Sequence, residues 1–172
     1  KIDNTNEYSI GDYTHYTLKE IHEQKNIIQQ ITHNGARIRN NTIILGGLHK
    51  YKNQILNCDN IVLLGCGTSY NACLYSIKFF YELCDFKNII ALDACNFNEY
   101  LVPKGNNCYI FVSQSGETKD LYCVLNKLQG LKIGVINVVS SLIARSVDAG
   151  VYLNIGKEMS VASTKVFFAQ AL

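Results

Sequence analysis

Hydrophobic positions along this chain follow two rhythms. From His15 to about His33, Leu18, Ile21, Ile28 and Ile31 recur near helical spacing and predict a helix. A weaker helical pattern lies between Asn41 and Asn57. At Asn60 the rhythm changes to a short continuous apolar run, Asn60-Ile-Val-Leu-Leu-Gly65, which reads as a strand covered on both faces. Tyr70, Cys73, Leu74, Ile77, Phe80/Tyr81 and Cys84 then return to helical spacing. Lys87 to Leu92, Cys108 to Val112, Leu131 to Ile136 and Gly150 to Ile155 are further predicted strands. Between them, Leu121, Val124, Leu125 and Leu128 share one helix face, and VASTKVFFAQAL has helical composition. Strand, loop and helix recur at roughly 20–30-residue spacing, the pattern of a parallel sheet with helices on both faces. The predicted fold is therefore α/β, a five-stranded parallel sheet preceded by an N-terminal helical segment.

Composition narrows the possibilities. The chain has 172 residues, enough for one domain with a sizeable core, and it is 48% hydrophobic and 17% charged. A net charge of +2, spread along the chain, does not suit nucleic acid. No apolar run reaches the roughly 18–20 residues of a membrane span. The N-terminal stretch lacks the apolar core of a signal peptide. The first residue is Lys, and Leu172 falls inside an apolar helical pattern, so both ends are expected to be cuts in a longer chain. Seven cysteines form no CxxC or other tight pair and read as small buried apolar thiols in a reducing cytoplasm, with no metal expected. A bias toward Asn, 18 residues against one Pro, suggests no function.

Three loops at predicted strand ends are chemically unusual: Gly65-Cys-Gly-Thr-Ser-Tyr70, Ser113-Gln-Ser-Gly-Glu-Thr118 and Ser160-Val-Ala-Ser-Thr-Lys165. Ligands of open parallel sheets bind beyond the carboxyl ends of the strands. A helix start there offers unpaired N–H groups and about half a positive charge, so it holds phosphate without an obligatory basic side chain. Ser and Thr add donors that rotate to fit. The plainer reading is capping: Ser115 as an N-cap and Glu117 as a dipole partner need no ligand. Capping suits one such loop better than three on one edge. Other motifs fail. There is no Gly-Lys-Ser/Thr for a P-loop, Tyr70 replaces the third glycine of a dinucleotide fingerprint, and Ser113 replaces the first glycine of a nucleophile elbow. His15, His22, His33 and His49 all precede the first core strand, which disfavours a Ser-His-acid triad in the sheet. They are expected to be surface or core histidines; the alternative is one reaching a site on a partner subunit.

Taken together, CGTSYNA, VSQSGETKDL and VASTK, in this order and spacing, resemble the first sugar isomerase (SIS) domain of the glutamine–fructose-6-phosphate aminotransferases. HYTLKEIHEQ, Asn137-Val138-Val139 and Gly156-x-Glu158 extend the resemblance over nearly the whole chain. It implies a three-layer, flavodoxin-like α/β/α sandwich over residues 58–172, with residues 1–57 as a helical extension packed on it. It implies that Ser69, Ser113, Gln114, Ser115 and Thr118 hold the phosphate of fructose 6-phosphate or glucosamine 6-phosphate. Thr68, Val161 and Ser163 would line the sugar. No cofactor and no metal are implied. The implied partners are a second SIS domain, a glutaminase domain and a second subunit, in the cytoplasm, with no nucleic acid and no membrane.

In that family the acid/base Glu, the imine-forming Lys and the ring-opening His lie beyond this domain, so no catalytic residue is expected here. Lys165 belongs to VASTK and is not the Schiff-base lysine; a charge near the sugar or near a neighbouring strand is the role left to it. Glu117 and Glu158 are poor candidates for the isomerase base. The chain departs from the family at Met159-Ser160, where Ile-Gly is usual, at Asn96, Lys25 and Ser140. The Ser160 change puts a close backbone approach at that loop in question. Two other readings share SQSGET: a phosphosugar-sensing regulatory module and a stand-alone phosphosugar isomerase. The first does not account for VASTK or the upstream helix; the second needs its own acid/base set, and the absence of His from residues 50 to 172 counts against it.

Overall fold

A computed structural model describes residues 9–172. The first eight residues of the expected 1–57 extension lie outside the described residues. The N-terminal segment is two short helices, α1 (Tyr16–Glu23) and α2 (Ile27–Ile31), joined by a 3-10 turn at Gln24–Asn26. The anticipated apolar face is not the buried one. Leu18, Ile21 and Ile28 are 41%, 49% and 55% exposed, whereas Ile27 and Glu20 are buried. The tighter 3-10 turn advances about 20° more per residue, so the two halves of the pattern do not share one face. Ile27 instead packs with Leu153, Ile155, Val166 and Ala169.

The helix expected between Asn41 and Asn57 is also shorter than the pattern suggested. Strands β1 (Ile38–Arg39) and β2 (Thr42–Ile43) pair antiparallel there. Asn40 and Asn41, both at positive φ (+49° and +55°), make the turn. Two such residues between strands suit a tight hairpin, a signal that the helical reading passed over. A 3-10 segment at Gly46–Tyr51 then runs into α3 (Lys52–Leu56).

The remaining elements keep the predicted alternation, except that only 3-10 turns join β4 to β5 and that α6 was not expected. They are β3 (Asn60–Gly65), α4 (Thr68–Leu83), β4 (Asn88–Asp93), β5 (Asn107–Ser113), α5 (Lys119–Lys127), β6 (Leu131–Ile136), α6 (Leu142–Ser146), β7 (Ala149–Tyr152) and α7 (Lys165–Ala171). The last strand ends three residues earlier than its apolar run, where the chain turns away and Asn154 takes φ +54°. Five parallel strands lie in the order β4-β3-β5-β6-β7. Every residue of β3 is buried, as a strand covered on both faces requires.

One face of the sheet carries α4 and the Leu48–Ile55 region, through Cys73, Ile77 and Phe80 on Ile61, Leu63, Cys108 and Ile133. The other carries α5 and α6, through Leu121, Val124, Leu125 and Ile143 on Val62, Leu64, Phe111 and Ile136. At the amino ends of the strands, part of the Asn bias has a use. Asn88 donates to Asn60, which donates to Asn107, both at 2.7 Å, and this ladder satisfies amides at the edge of the core. No helix among the described residues is long and apolar enough to cross a membrane.

Candidate sugar-phosphate site

The strand order reverses between β3 and β5: β4 lies outside β3 on one side, while β6 and β7 follow β5 on the other. Such a switch point opens a crevice beyond the carboxyl ends of the two central strands. Here it is a cavity of about 180 Å³ lined by Cys66, Thr68, Ser69, Val112, Ser113, Gln114, Ser115, Thr118, Val161 and Ser163. All eight residues expected from the sequence surround this one space. The register that pairs Leu64 with Phe111 sets the first two loops side by side. The third arrives over the top from the β7–α7 connection.

Backbone geometry brings the helix starts in. A Cβ on Gly65 would lie 2.8 Å from the Ser69 carbonyl carbon and the Tyr70 nitrogen, so only glycine lets the first turn of α4 sit against the strand end. Gly116, at φ +66°, is buried with its α-carbon against the Ser141 side chain. Helix α5 begins at Lys119 with Thr118 as its N-cap, not at Ser115, and the Thr118 hydroxyl makes no capping hydrogen bond. Helix α4 is capped by Gly67, which has no side chain to offer. Capping therefore does not account for these hydroxyls, and both helix starts bring their positive ends to the cavity.

The partners of each hydroxyl set its polarity. Ser113 Oγ accepts from the Gly116 N–H at 3.0 Å and lies 3.4 Å from Thr118 Oγ1. Ser115 Oγ accepts from the Glu117 N–H at 3.1 Å. Ser69 Oγ accepts from Gln170 Nε2 at 3.0 Å. Ser69 and Ser115 each receive a proton and keep their own to donate; Ser113 also receives one and shares a contact with Thr118 that either hydroxyl can donate, so all three can present a proton to an anion. Ser163 is the opposite case. It donates to Glu158 Oε2 at 2.6 Å and keeps lone pairs to accept from a hydroxyl. The side chains of Ser69, Ser113 and Ser115 thus form a donor end, and Ser163 marks an acceptor end.

Several residues that hold the site escaped the sequence reading. Buried Glu158 accepts from Ser163 Oγ, the Thr164 N–H at 2.7 Å, Thr164 Oγ1 and the Lys165 N–H at 2.9 Å, so its carboxylate is committed to the VASTK loop. Buried Glu20 of α1 accepts the Met159 and Ser160 N–H groups. Lys165 is buried and pairs with Glu23 of α1 at 2.6 Å, so neither role left to it, near the sugar or near a strand, is the one observed. Gln170, a lone amide on the apolar side of α7, was the one with a local signal. Ser160 does not take a positive φ, and its hydroxyl accepts from Thr17 at 3.0 Å, so glycine is not required by the backbone there. The four histidines are exposed, and none lines the cavity.

Cys66 is the one ionisable lining group among the described residues. Burial, then the Cys95 thiol, then the charges of Asp93 and Asp120 push its pKa up to about 12. Of the seven cysteines, only Cys58, Cys73 and Cys108 are buried, and Cys95 and Cys123 are exposed.

A doubly wound α/β domain with an anion-suited cleft at its switch point is the class that fold and site define. The SIS domain family model matches residues 54–172, and the chain belongs to that family. Glutamine–fructose-6-phosphate aminotransferase (isomerizing) 2 of Homo sapiens is 34% identical over 165 residues, covering 93% of this chain and 24% of its own. Glutamine–fructose-6-phosphate aminotransferase (isomerizing) of Saccharomyces cerevisiae is 36% identical over 165 residues, covering 93% of this chain and 23% of its own. The chain thus spans about a quarter of the length of these curated relatives. The C-terminal domain of glucosamine-fructose-6-phosphate aminotransferase from Francisella tularensis superposes with a TM-score of 0.77 at 29% identity, covering 94% of this chain and 46% of that one. Tagatose-6-phosphate ketose/aldose isomerase from Escherichia coli shares the fold, with a TM-score of 0.70 at 15% identity over 92% of this chain and 45% of that one.

Proposed function

We propose that this chain is the sugar-phosphate-binding half of the isomerase region of a glutamine–fructose-6-phosphate aminotransferase. The observation that carries the reading is the polarity of the cavity: three serine hydroxyls able to donate beside two helix starts, facing an acceptor at Ser163. A phosphate carries roughly −1.5 to −2 charge and three acceptor oxygens, so it suits the donor end. Ser69, Ser113, Gln114, Ser115 and Thr118 hold the phosphate in this reading, and Thr68, Val161 and Ser163 line the sugar. Residues 1–57 act as an extension that carries α1 against the third loop, and 58–172 as the binding domain.

The cavity holds its ligand without doing chemistry on it. None of its lining groups is a His, Lys, Asp or Glu among the described residues. Proton transfer at the sugar C1 and C2 requires such groups in reach. They come, in this reading, from a second SIS domain and from a second subunit, and ammonia comes from a glutaminase domain of the whole cytoplasmic enzyme. Product would be glucosamine 6-phosphate.

Titration with fructose 6-phosphate, followed by amide chemical shifts, tests the reading. Shifts are expected at residues 113–118 and 67–70, with fructose lacking phosphate giving none. Ser113→Ala combined with Ser115→Ala should weaken binding by about 3 kcal/mol, since hydrogen bonds to a charged acceptor are the strong ones. Unmoved amides at millimolar ligand in the folded protein would remove the site.

A further inference from the structure

A second cluster sits at the neighbouring strand ends. The register of β3 and β4 pairs Gly65 with Asp93. Cys66, one residue beyond β3, and Cys95, in the 3-10 turn Ala94–Asn96 after β4, therefore emerge together. Both sulfurs and a carboxylate oxygen of Asp93 lie within 4.8 Å of one another. Asp93 Oδ1 accepts from the Cys95 N–H and Oδ2 from Asn96 Nδ2, each at 3.1 Å, so each oxygen retains a lone pair. Cys95 is exposed, which leaves the cluster open to solvent, and Cys66 also lines the hydroxyl cavity.

We propose that Cys66, Cys95 and Asp93 form a binding site for a thiophilic divalent cation of the zinc class. Two thiolates and a carboxylate are ligands such an ion accepts, at about 2.3 Å to sulfur and about 2.0–2.2 Å to oxygen. Ligand atoms around a tetrahedral ion at those lengths lie roughly 3.3–3.8 Å apart. Rotation of the exposed Cys95 side chain closes the remaining distance. Mg²⁺ and Ca²⁺ require oxygen ligands, so the sulfurs select against them. On binding, each thiol loses its proton to solvent as its sulfur bonds the metal, and water fills the fourth position. Two ligands come from ordered strand ends of one sheet, so little chain entropy opposes the site. The ion would sit behind the wall of the hydroxyl cavity, yet the site stands whether or not that cavity takes a sugar phosphate.

Titration of the reduced, chelator-treated protein with Co²⁺ tests this directly. Thiolate-to-cobalt charge-transfer bands and tetrahedral visible bands are expected to saturate at one ion per chain, and Zn²⁺ should displace them. Cys95→Ser should weaken binding by more than the roughly 10–100-fold that loss of an outer-shell partner costs. Cys123→Ser, exposed on α5, should leave the titration unchanged. In the unsubstituted protein, Co²⁺ should protect Cys95 from iodoacetamide, a readout that does not depend on any variant folding. Absence of charge-transfer bands overturns the proposal, as do bands that survive in Cys95→Ser. Formation of a Cys66–Cys95 disulfide in place of a cobalt complex overturns it as well.

Discussion

Two hydroxyl-rich loops line the same cavity, and they are held in place by different means. Ser113–Thr118 is a local structure. It is anchored by a buried strand, turned by Gly116 at φ +66°, and closed by Ser113 and Ser115 accepting N–H groups within three residues. Its distant ties are to the start of α6, where Glu117 accepts from the Leu142 N–H at 2.9 Å and Gly116 O accepts from the Ile143 N–H, and a longer bond of 3.4 Å from Gln114 Nε2 to the Glu158 carbonyl. The loop from Glu158 to Lys165 has no such turn of its own. Two buried carboxylates gather it, Glu158 from within and Glu20 from α1, and Lys165 is tied to Glu23 of the same helix. Similar compositions thus give one loop that carries its own shape and another that borrows it from the N-terminal segment. The donor end of the cavity rests mainly on the first, and the acceptor end at Ser163 on the second.

Removing the clamps should separate the two. Glu158→Ala leaves one buried and one half-buried N–H group and two hydroxyls without their acceptor. It should cost about 3 kcal/mol in urea unfolding, the largest effect expected here. Loss of sugar affinity should then exceed loss of affinity for inorganic phosphate. Gly116→Ala attacks the other loop. A Cβ there would fall 1.9 Å from Ser141 Oγ at a φ that side chains resist, so about 2 kcal/mol of stability should be lost. Ser141→Gly should return part of that loss by removing the clash, but not the part due to φ.

A gentler change probes the dependence on α1. Glu20→Gln keeps the shape and removes the charge that the Met159 and Ser160 N–H groups meet. It should cost about 1 kcal/mol and speed hydrogen exchange at residues 159 and 160, with Gly116 and Glu117 unchanged. Equal acceleration in both loops would erase the distinction between them.

Alkali should act on the thiols packed at the sheet. Burial pushes the Cys73 and Cys108 pKa values from 9.0 up to about 12. A raised folded-state value means that their contribution is fully present below 9.0 and is lost as pH rises toward about 12, because the unfolded chain ionises first. At pH 9.0, where half the unfolded thiols are ionised, the loss should be only about 0.4 kcal/mol per thiol, growing above that. Cys108→Ala should flatten the decline between pH 8 and pH 10 measured by urea titration.

How far the sequence could be read depended on the range of the interactions. β3 was legible to the residue because a strand buried on both faces writes itself as an unbroken apolar run. The face of α5 was legible because Leu121, Val124 and Leu125 all turn to one neighbour. The face of α1 was not, since a 3-10 turn broke the period and a carboxylate, Glu20, took the buried place. Nothing near Glu20 in the chain signals that it will meet the amides of Met159 and Ser160. The same holds for Cys66 and Cys95, which are joined by strand register rather than by a CxxC spacing.

By itself, then, the sequence determined the five strands of the sheet, the helices α4, α5 and α7 and which loops are rich in hydroxyls, because periodicity and composition are local properties. The tertiary structure decided the strand order that opens the cleft and the partners that make Ser69, Ser113 and Ser115 donors and Ser163 an acceptor. It also decided the carboxylates that shape the third loop. A hydroxyl can donate or accept until a neighbour occupies one of those roles, and for Ser69 that neighbour, Gln170, is supplied by a distant helix of the fold.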